Sequence, residues 1–404
     1  MSRIVAFSWP LGGHVAPAAV VLGALSDRGH QVILATLGNG SPGNAHRVPS
    51  VKVPIGPAGN PSGPVHGLAA TGEGVARAVE GVAAVWAPDA LLVDSSLWGG
   101  AAAAEALRLP WAMLATTPVH LRGTRLDARG WALAPRRGPW GWLRERLVQR
   151  ASARLDAPLM RAVNDLRAAR GLSPLARPQD RFLRAPLVIG CTAEPFEYPR
   201  ADWPSTLRMV GPLHTVPAAP RECPVEVPGE GPLVVVATTT HPVGWRESRK
   251  LVDVALAALE GEPVRVLVTM PTGDLPGRLP ANAVVRRYVP HDQILSAASC
   301  LVCHGGAGAT HRALAMGVPV VAVPFGEARE HDMHEVARRV EVARAGVCLP
   351  ADRLTPRTLR AAVHKALRRK EGAARIAAAF ARTGGAAAAA IAIEQLIAKA
   401  PGRA

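Results

Sequence analysis

Short apolar runs alternate along this chain with longer stretches in which apolar residues return every three to four positions. In the first half the runs cover residues 3–9, 31–36, 88–94, 110–115 and 185–191, and each predicts a strand. In the second half they cover 233–237, 264–270, 284–289, 300–303 and 318–323. The helical spacing covers 15–28, 74–86, 99–107, 247–259, the stretch from the glycines after His304 to Gly317, 355–370 and 373–399. Strand and helix follow one another as βαβ units, so the pattern predicts an α/β protein built from doubly wound sheets. Residues 41–71 hold many Gly, Pro and Asn and read as a loop.

Length sharpens this picture. With 404 residues the chain is too long for one ordinary core, so two domains are expected: 1–213 and 231–380, joined by a proline-rich linker at 214–230 and followed by a C-terminal helix at 381–404. No apolar run reaches the ~18 residues of a membrane span. Five cysteines, odd in number and scattered, fit reduced thiols and a cytoplasmic setting. Cys300 and Cys303 lie inside an apolar run and read as buried strand residues. The net charge of +16 suits an anionic partner, whether nucleic acid, an anionic membrane surface or a nucleotide-sugar. Direct nucleic-acid binding is set aside because no recognised binding module is present.

Candidate chemistry sits at the strand ends. The apolar run ending at Cys303 leads into His304, Gly305, Gly306, Ala307, Gly308, Ala309 and Thr310, and then into a helix. Glycines let backbone approach a ligand, and a helix N-terminus offers unpaired N–H groups and a positive dipole end, so this turn is a candidate diphosphate site. His14 follows Gly12 and Gly13 after the first strand, and Asp94 ends another strand. Ligands bind at that edge of such sheets, where an Asp can orient a His and stabilise its protonated form; otherwise His14 caps its own helix and Asp94 is the N-cap of the next. Thr239 and Thr240 follow strand 233–237 and either face donor phosphates or make turn hydrogen bonds.

The segments YVPHDQIL, HGGAGAT and ALAMGVP together resemble the donor-sugar signature of the inverting GT-B glycosyltransferases, in the antibiotic and macrolide branch of the UDP-glycosyltransferase superfamily. The resemblance implies two Rossmann-like domains facing a cleft, with the C-terminal helix crossing back to the first. It implies His14 as catalytic base and Asp94 as its partner. Tyr288, Val289 and His291 would receive nucleobase and ribose, and His304, Gly306, Ala307, Gly308, Ala309 and Thr310 the phosphates. Arg312 is a further phosphate or ribose contact on this reading. Asp332 matches the sugar-binding acid, but Met333 stands where a Gln is usual, and Glu327, Glu330 and His331 are the candidate substitutes. Ala309 also departs, where a hydroxyl is common, and Thr310 is the nearest stand-in.

The implied reaction moves a sugar from UDP or dTDP to a hydroxyl of a hydrophobic natural-product acceptor, with no metal and no cofactor beyond the nucleotide-sugar co-substrate. Residues 122–184 carry 15 arginines against five acids, together with Trp131, Trp140 and Trp142. This stretch would serve an aglycone, an anionic membrane surface or only a solvated helix face. A lipid acceptor at the membrane, with the protein peripheral to it, and a non-catalytic nucleotide-sugar-binding auxiliary protein are the alternatives.

Overall fold

The computed structural model describes residues 1–38, 48–55, 72–119, 131–136, 138–214, 225–239, 245–271, 273–326 and 332–400. Its first half is a parallel sheet of β1 (Arg3–Ser8), β2 (Gln31–Leu37), β3 (Ser50–Val53), β4 (Ala90–Asp94), β5 (Trp111–Ala115), β6 (Leu187–Gly190) and β7 (Leu207–Met209). The spatial order is β3-β2-β1-β4-β5-β6-β7. Helices cover both faces: α1 (Gly12–Asp27) on one, α2 (Gly72–Trp86) and α3 (Trp98–Ala106) on the other. Because both faces are covered, the central strands are apolar without alternation: Ile4 and Ala6 point to one core, Val5 and Phe7 to the other.

The second half repeats the plan. A parallel sheet contains β8 (Leu233–Ala237), β9 (Arg265–Thr269), β10 (Ala283–Arg286), β11 (Cys300–Cys303), β12 (Val320–Ala322) and β13 (Gly346–Cys348) in the order β10-β9-β8-β11-β12-β13, with α6 (Trp245–Leu259) and α10 (Pro356–Leu367) on one face. In each sheet the strand order reverses once, between β1 and β4 and between β8 and β11. Those two reversals open crevices at the carboxyl ends of the strands.

Several segments cross between the halves. The helices α11 (Lys370–Ala381) and α12 (Gly385–Ala398) divide the work: Ile376 and Phe380 of α11 join the second core, while Ile393 and Ile397 of α12 join the first. Glu394 on α12 binds Arg28 and His30, just beyond α1, at 2.7 and 3.0 Å. In the other direction Phe196, which follows β6, lies in the second core against His311 and Phe380.

Three expectations change. The tail does not form one helix, because Gly384 takes φ +79° and the hydroxyl of Thr383 donates to Val210 O, turning the chain between α11 and α12. The stretch Lys370–Ala398 is long and apolar enough to cross a membrane by length and composition, but this break and the burial of its apolar faces in two cores account for its character. Within the segment read as a loop, β3 forms a mostly exposed edge strand, which has no apolar run to betray it. The strand expected at 284–289 ends at Arg286, and exposed Tyr288 follows in coil.

The arginine-rich stretch is partly structural. It forms the helices α4 (Pro139–Ala168) and α5 (Asp180–Arg184). Arg167 is buried on Glu105 at 2.8 Å, and just beyond α4 Arg170 bridges Glu73 and Glu80. Trp140, Trp142, Leu143 and Leu147 stay exposed, and Arg146 stacks on Trp142. α2 and α3 touch so closely that a Cβ on Gly99 would lie 1.8 Å from the carbonyl oxygen of Gly72. Backbone must move to admit it, so Gly99→Ala is expected to cost about 1–3 kcal/mol as overpacking. Urea unfolding followed by circular dichroism checks this, and an unchanged midpoint would contradict the close contact.

Candidate active site

His14 and Asp94 are 80 residues apart, yet β1 and β4 are neighbours with Phe7 opposite Val93, so both residues leave adjacent strand ends. His14 lies in the first turn of α1, which starts earlier than the apolar spacing suggests because Gly12 and Gly13 are helical. Its Nδ1 is 2.7 Å from Asp94 Oδ2. The other carboxylate oxygen, Oδ1, accepts from Ser96 N at 2.8 Å and Ser96 Oγ at 2.5 Å. Thr116, after β5, places its hydroxyl 3.5 Å from His14 Nδ1.

Burial pulls the His14 pKa down, but the charge and hydrogen bond of Asp94, helped by the charge of Asp332, leave it above its ordinary 6.5. Burial pushes Asp94 up, but His14 and the two donors of Ser96 leave it below its ordinary 3.8. Asp94 is 1% exposed and His14 keeps 22% of its side chain open. A carboxylate that accepts Nδ1–H leaves Nε2 as the imidazole's proton acceptor.

At the second reversal, β11 runs through His304 into α8 (Ala307–Ala315), which has no side-chain cap. Thr310 N is bonded to Gly306 O, whereas the N–H groups of Ala307, Gly308 and Ala309 belong to the uncapped first turn. Gly305 has φ +84°, and a Cβ there would meet Met333 O at 3.0 Å, so the glycine lets the segment after Asp332 rest on the turn. Asp332 and Met333 stand at the start of α9 (Met333–Val342). Asp332 is close enough to raise the His14 pKa, which brings the two halves' candidates together.

His291 starts the short helix α7 (His291–Ile294). Burial first, then Arg312 and His304, lower it to about 4 against the opposing charge of Asp292. Burial lowers His304 to about 4 as well. Both rings are therefore neutral near pH 7. Arg312 is lowered by burial against the charges of Asp292 and Tyr288, and among the described residues its guanidinium makes no hydrogen bond. A small cleft joins the two crevices, with Gly12, Gly13 and Thr116 on one side and Gly308, His311 and Arg312 on the other. Cys191 and His214 also line it. Burial, with Arg312 and His311, holds His214 at about 3.

Some expected residues fall elsewhere. Thr310 is fully buried with its hydroxyl 3.7 Å from Cys303 Sγ, so it cannot replace the hydroxyl absent at Ala309. Val289 packs its side chain in the core, which leaves only its backbone for a ligand. Thr239 is half-buried beyond β8. Thr240, Glu327, Glu330 and His331 lie outside the described residues. His334, spaced from His331 as metal ligands often are, donates Nε2–H to Gly326 O at 2.9 Å. Cys300 and Cys303 are buried free thiols. Sequence reasoning gave no part to Ser96, Thr116, Cys191 or His214; Ser96, two residues after a strand-end acid, was the one with a local signal.

Residues 250–394 match the family model of the erythromycin biosynthesis protein CIII-like C-terminal domain. The chain is 32% identical over 284 residues to 4'-demethylrebeccamycin synthase of Lentzea aerocolonigenes, covering 69% of this chain and 66% of that protein. It spans between about half and two thirds of the length of the known relatives it matches first. Among solved structures, the glycotransferase of kitacinnamycin superposes with a TM-score of 0.73 at 21% identity, covering 98% and 99% of the two chains. SsfS6 of Streptomyces sp. SF2575, complexed with thymidine diphosphate, gives 0.62 at 22% identity, covering 98% and 100%. Residues 250–394 thus belong to the erythromycin biosynthesis protein CIII-like C-terminal domain family, and the chain as a whole has the GT-B fold of the antibiotic glycosyltransferases.

Proposed function

We propose that the protein is an inverting glycosyltransferase that moves a sugar from a UDP or dTDP donor to a hydroxyl of a hydrophobic natural product. The observation that carries this reading is the His14–Asp94 pair, 2.7 Å apart beside a cleft whose opposite wall is the N-terminal turn of α8. Nε2 of neutral His14 takes the proton of the acceptor hydroxyl as its oxygen attacks the anomeric carbon. The bond from that carbon to the diphosphate breaks on the opposite face, and its electron pair leaves with the diphosphate. Asp94 balances the imidazolium formed. The N–H groups of Ala307, Gly308 and Ala309, with Arg312, meet the charge growing on the leaving group. These donors supply the stabilisation that a metal gives in other transferases. Exposed Tyr288 offers a ring for the pyrimidine, and Asp332 offers an acceptor for sugar hydroxyls.

The direct test is transfer from UDP- and dTDP-sugars to a panel of hydroxylated aromatic and macrolactone acceptors, with the product anomer read by NMR. Inversion with either donor supports the reading, and retention excludes it. The thymidine diphosphate in SsfS6 is the reason to test dTDP beside UDP. Arg312→Ala is expected to weaken UDP or dTDP about 10- to 100-fold, the worth of a charge-assisted hydrogen bond, while leaving the bare nucleoside little changed. Isothermal titration calorimetry checks this. Equal loss for nucleoside and diphosphate would show that Arg312 acts on the base end instead.

A further inference from the structure

We propose that Ser96 is a positioning residue, whose hydroxyl fixes the Asp94 carboxylate in the rotamer that selects the Nδ1–H tautomer of His14. The role of the pair in transfer rests on the proposed function; the effect of Ser96 on the tautomer does not.

The two oxygens of Asp94 are divided between partners. Oδ2 faces His14 Nδ1 at 2.7 Å, and Oδ1 receives both the backbone N–H and the hydroxyl of Ser96 at 2.8 and 2.5 Å. Without the hydroxyl, Oδ1 keeps only the backbone N–H of Ser96, and the broad χ2 torsion of the carboxylate is held by one donor instead of two. Two donors on Oδ1 restrict it and point Oδ2 at the imidazole. The turn that carries Ser96 is itself anchored: Leu97 N donates to Asp94 O, and Arg181 Nε donates to Ser95 O at 3.2 Å while its guanidinium lies over Trp98. Thr116 cannot take over, because its hydroxyl stands 3.5 Å from Nδ1, at the edge of hydrogen-bond reach. An unheld imidazole also samples the Nε2–H form, in which the nitrogen needed as base is already protonated.

The experiment is 15N NMR of histidine-labelled protein above the His14 titration, with His14→Ala giving the assignment. Wild type is expected to show His14 mainly as Nδ1–H. Ser96→Ala is expected to shift population toward Nε2–H in protein that is still folded at the assay temperature, and Ser96→Thr to restore it. Transfer by Ser96→Ala should fall about tenfold in kcat with KM for the nucleotide-sugar little changed, as for a misaimed base. A His14 signal in Ser96→Ala that stays in the wild-type tautomer overturns the proposal, even if activity falls. Should the tautomer shift while His14→Ala still transfers sugar at the wild-type rate, the positioning role stands and the proposed function fails.

Discussion

His14→Ala is expected to lower turnover by about two to four orders of magnitude, the usual worth of a general base, while the nucleotide binds nearly as in wild type. The asymmetry follows from placement. His14 belongs to the first half of the chain, whereas the candidate nucleotide contacts on α7 and α8 belong to the second. Initial rates and calorimetry on the same preparations separate the two quantities. A variant within a few-fold of the wild-type rate would reduce the pair to a structural contact.

The pH dependence has a definite sign. In the proposed reaction the working form of His14 is neutral, and its folded pKa lies above 6.5, so kcat/KM is expected to rise as pH passes upward through that raised value. The stability that His14 gains from Asp94 runs the other way. It is fully present below 6.5 and is lost as pH rises through the folded pKa. Asp94, held below 3.8, contributes stability that is present above 3.8 and lost as pH falls through its folded value. On that reading the base works where its ion pair with Asp94 has become a hydrogen bond from the neutral imidazole to the still-charged carboxylate. A rate that falls across the same interval would place the essential proton on an acid instead.

Much of this was legible in the chain because it rests on local pattern. Apolar runs buried on two faces announce strands such as β1, β4 and β11, and glycines after a strand announce the start of α8. The pairing of His14 with Asp94 was legible as a possibility, since both follow strands, but only the sheet order makes those strands neighbours. What escaped depends on contacts between distant segments. Nothing in the sequence turns the Thr310 hydroxyl toward Cys303, or sets His214 against Arg312. The break after α11 was hidden in an alanine-rich tail whose helical propensity is high throughout, so two glycines in a row were the only signal. The surface of residues 122–184 looked uniform in composition, yet Arg167 and Arg170 are anchors while Arg146 remains outside on Trp142.

Arg339→Met is expected to destabilise the protein by about 3–5 kcal/mol, because it leaves two buried carboxylates facing a lost cation. Arg339 on α9 is 4% exposed. It binds Glu197, from the first half, at 2.8 Å and Glu335, on its own helix, at 3.1 Å. Its guanidinium also covers the ring of Tyr198 at 4.6 Å. Burial opposes the charge of Arg339, but Glu197, Tyr198 and Glu335 outweigh it and hold the pKa above the ordinary arginine value. The same helix grips the first half again through Ala132, whose N–H donates to Glu335 Oε1 and whose carbonyl accepts from Arg338 Nε, each at 2.9 Å. α9 begins directly after Asp332, so this network sets how Asp332 stands against His14. Urea unfolding of Arg339→Met should therefore show an earlier transition, and two steps rather than one if the halves come apart first. Arg339→Met combined with Glu197→Leu should recover part of the loss, since it removes one unpaired charge while Glu335 keeps the N–H of Ala132. If the single variant unfolds within about 0.5 kcal/mol of wild type, where ordinary surface substitutions fall, the network is not what joins the halves.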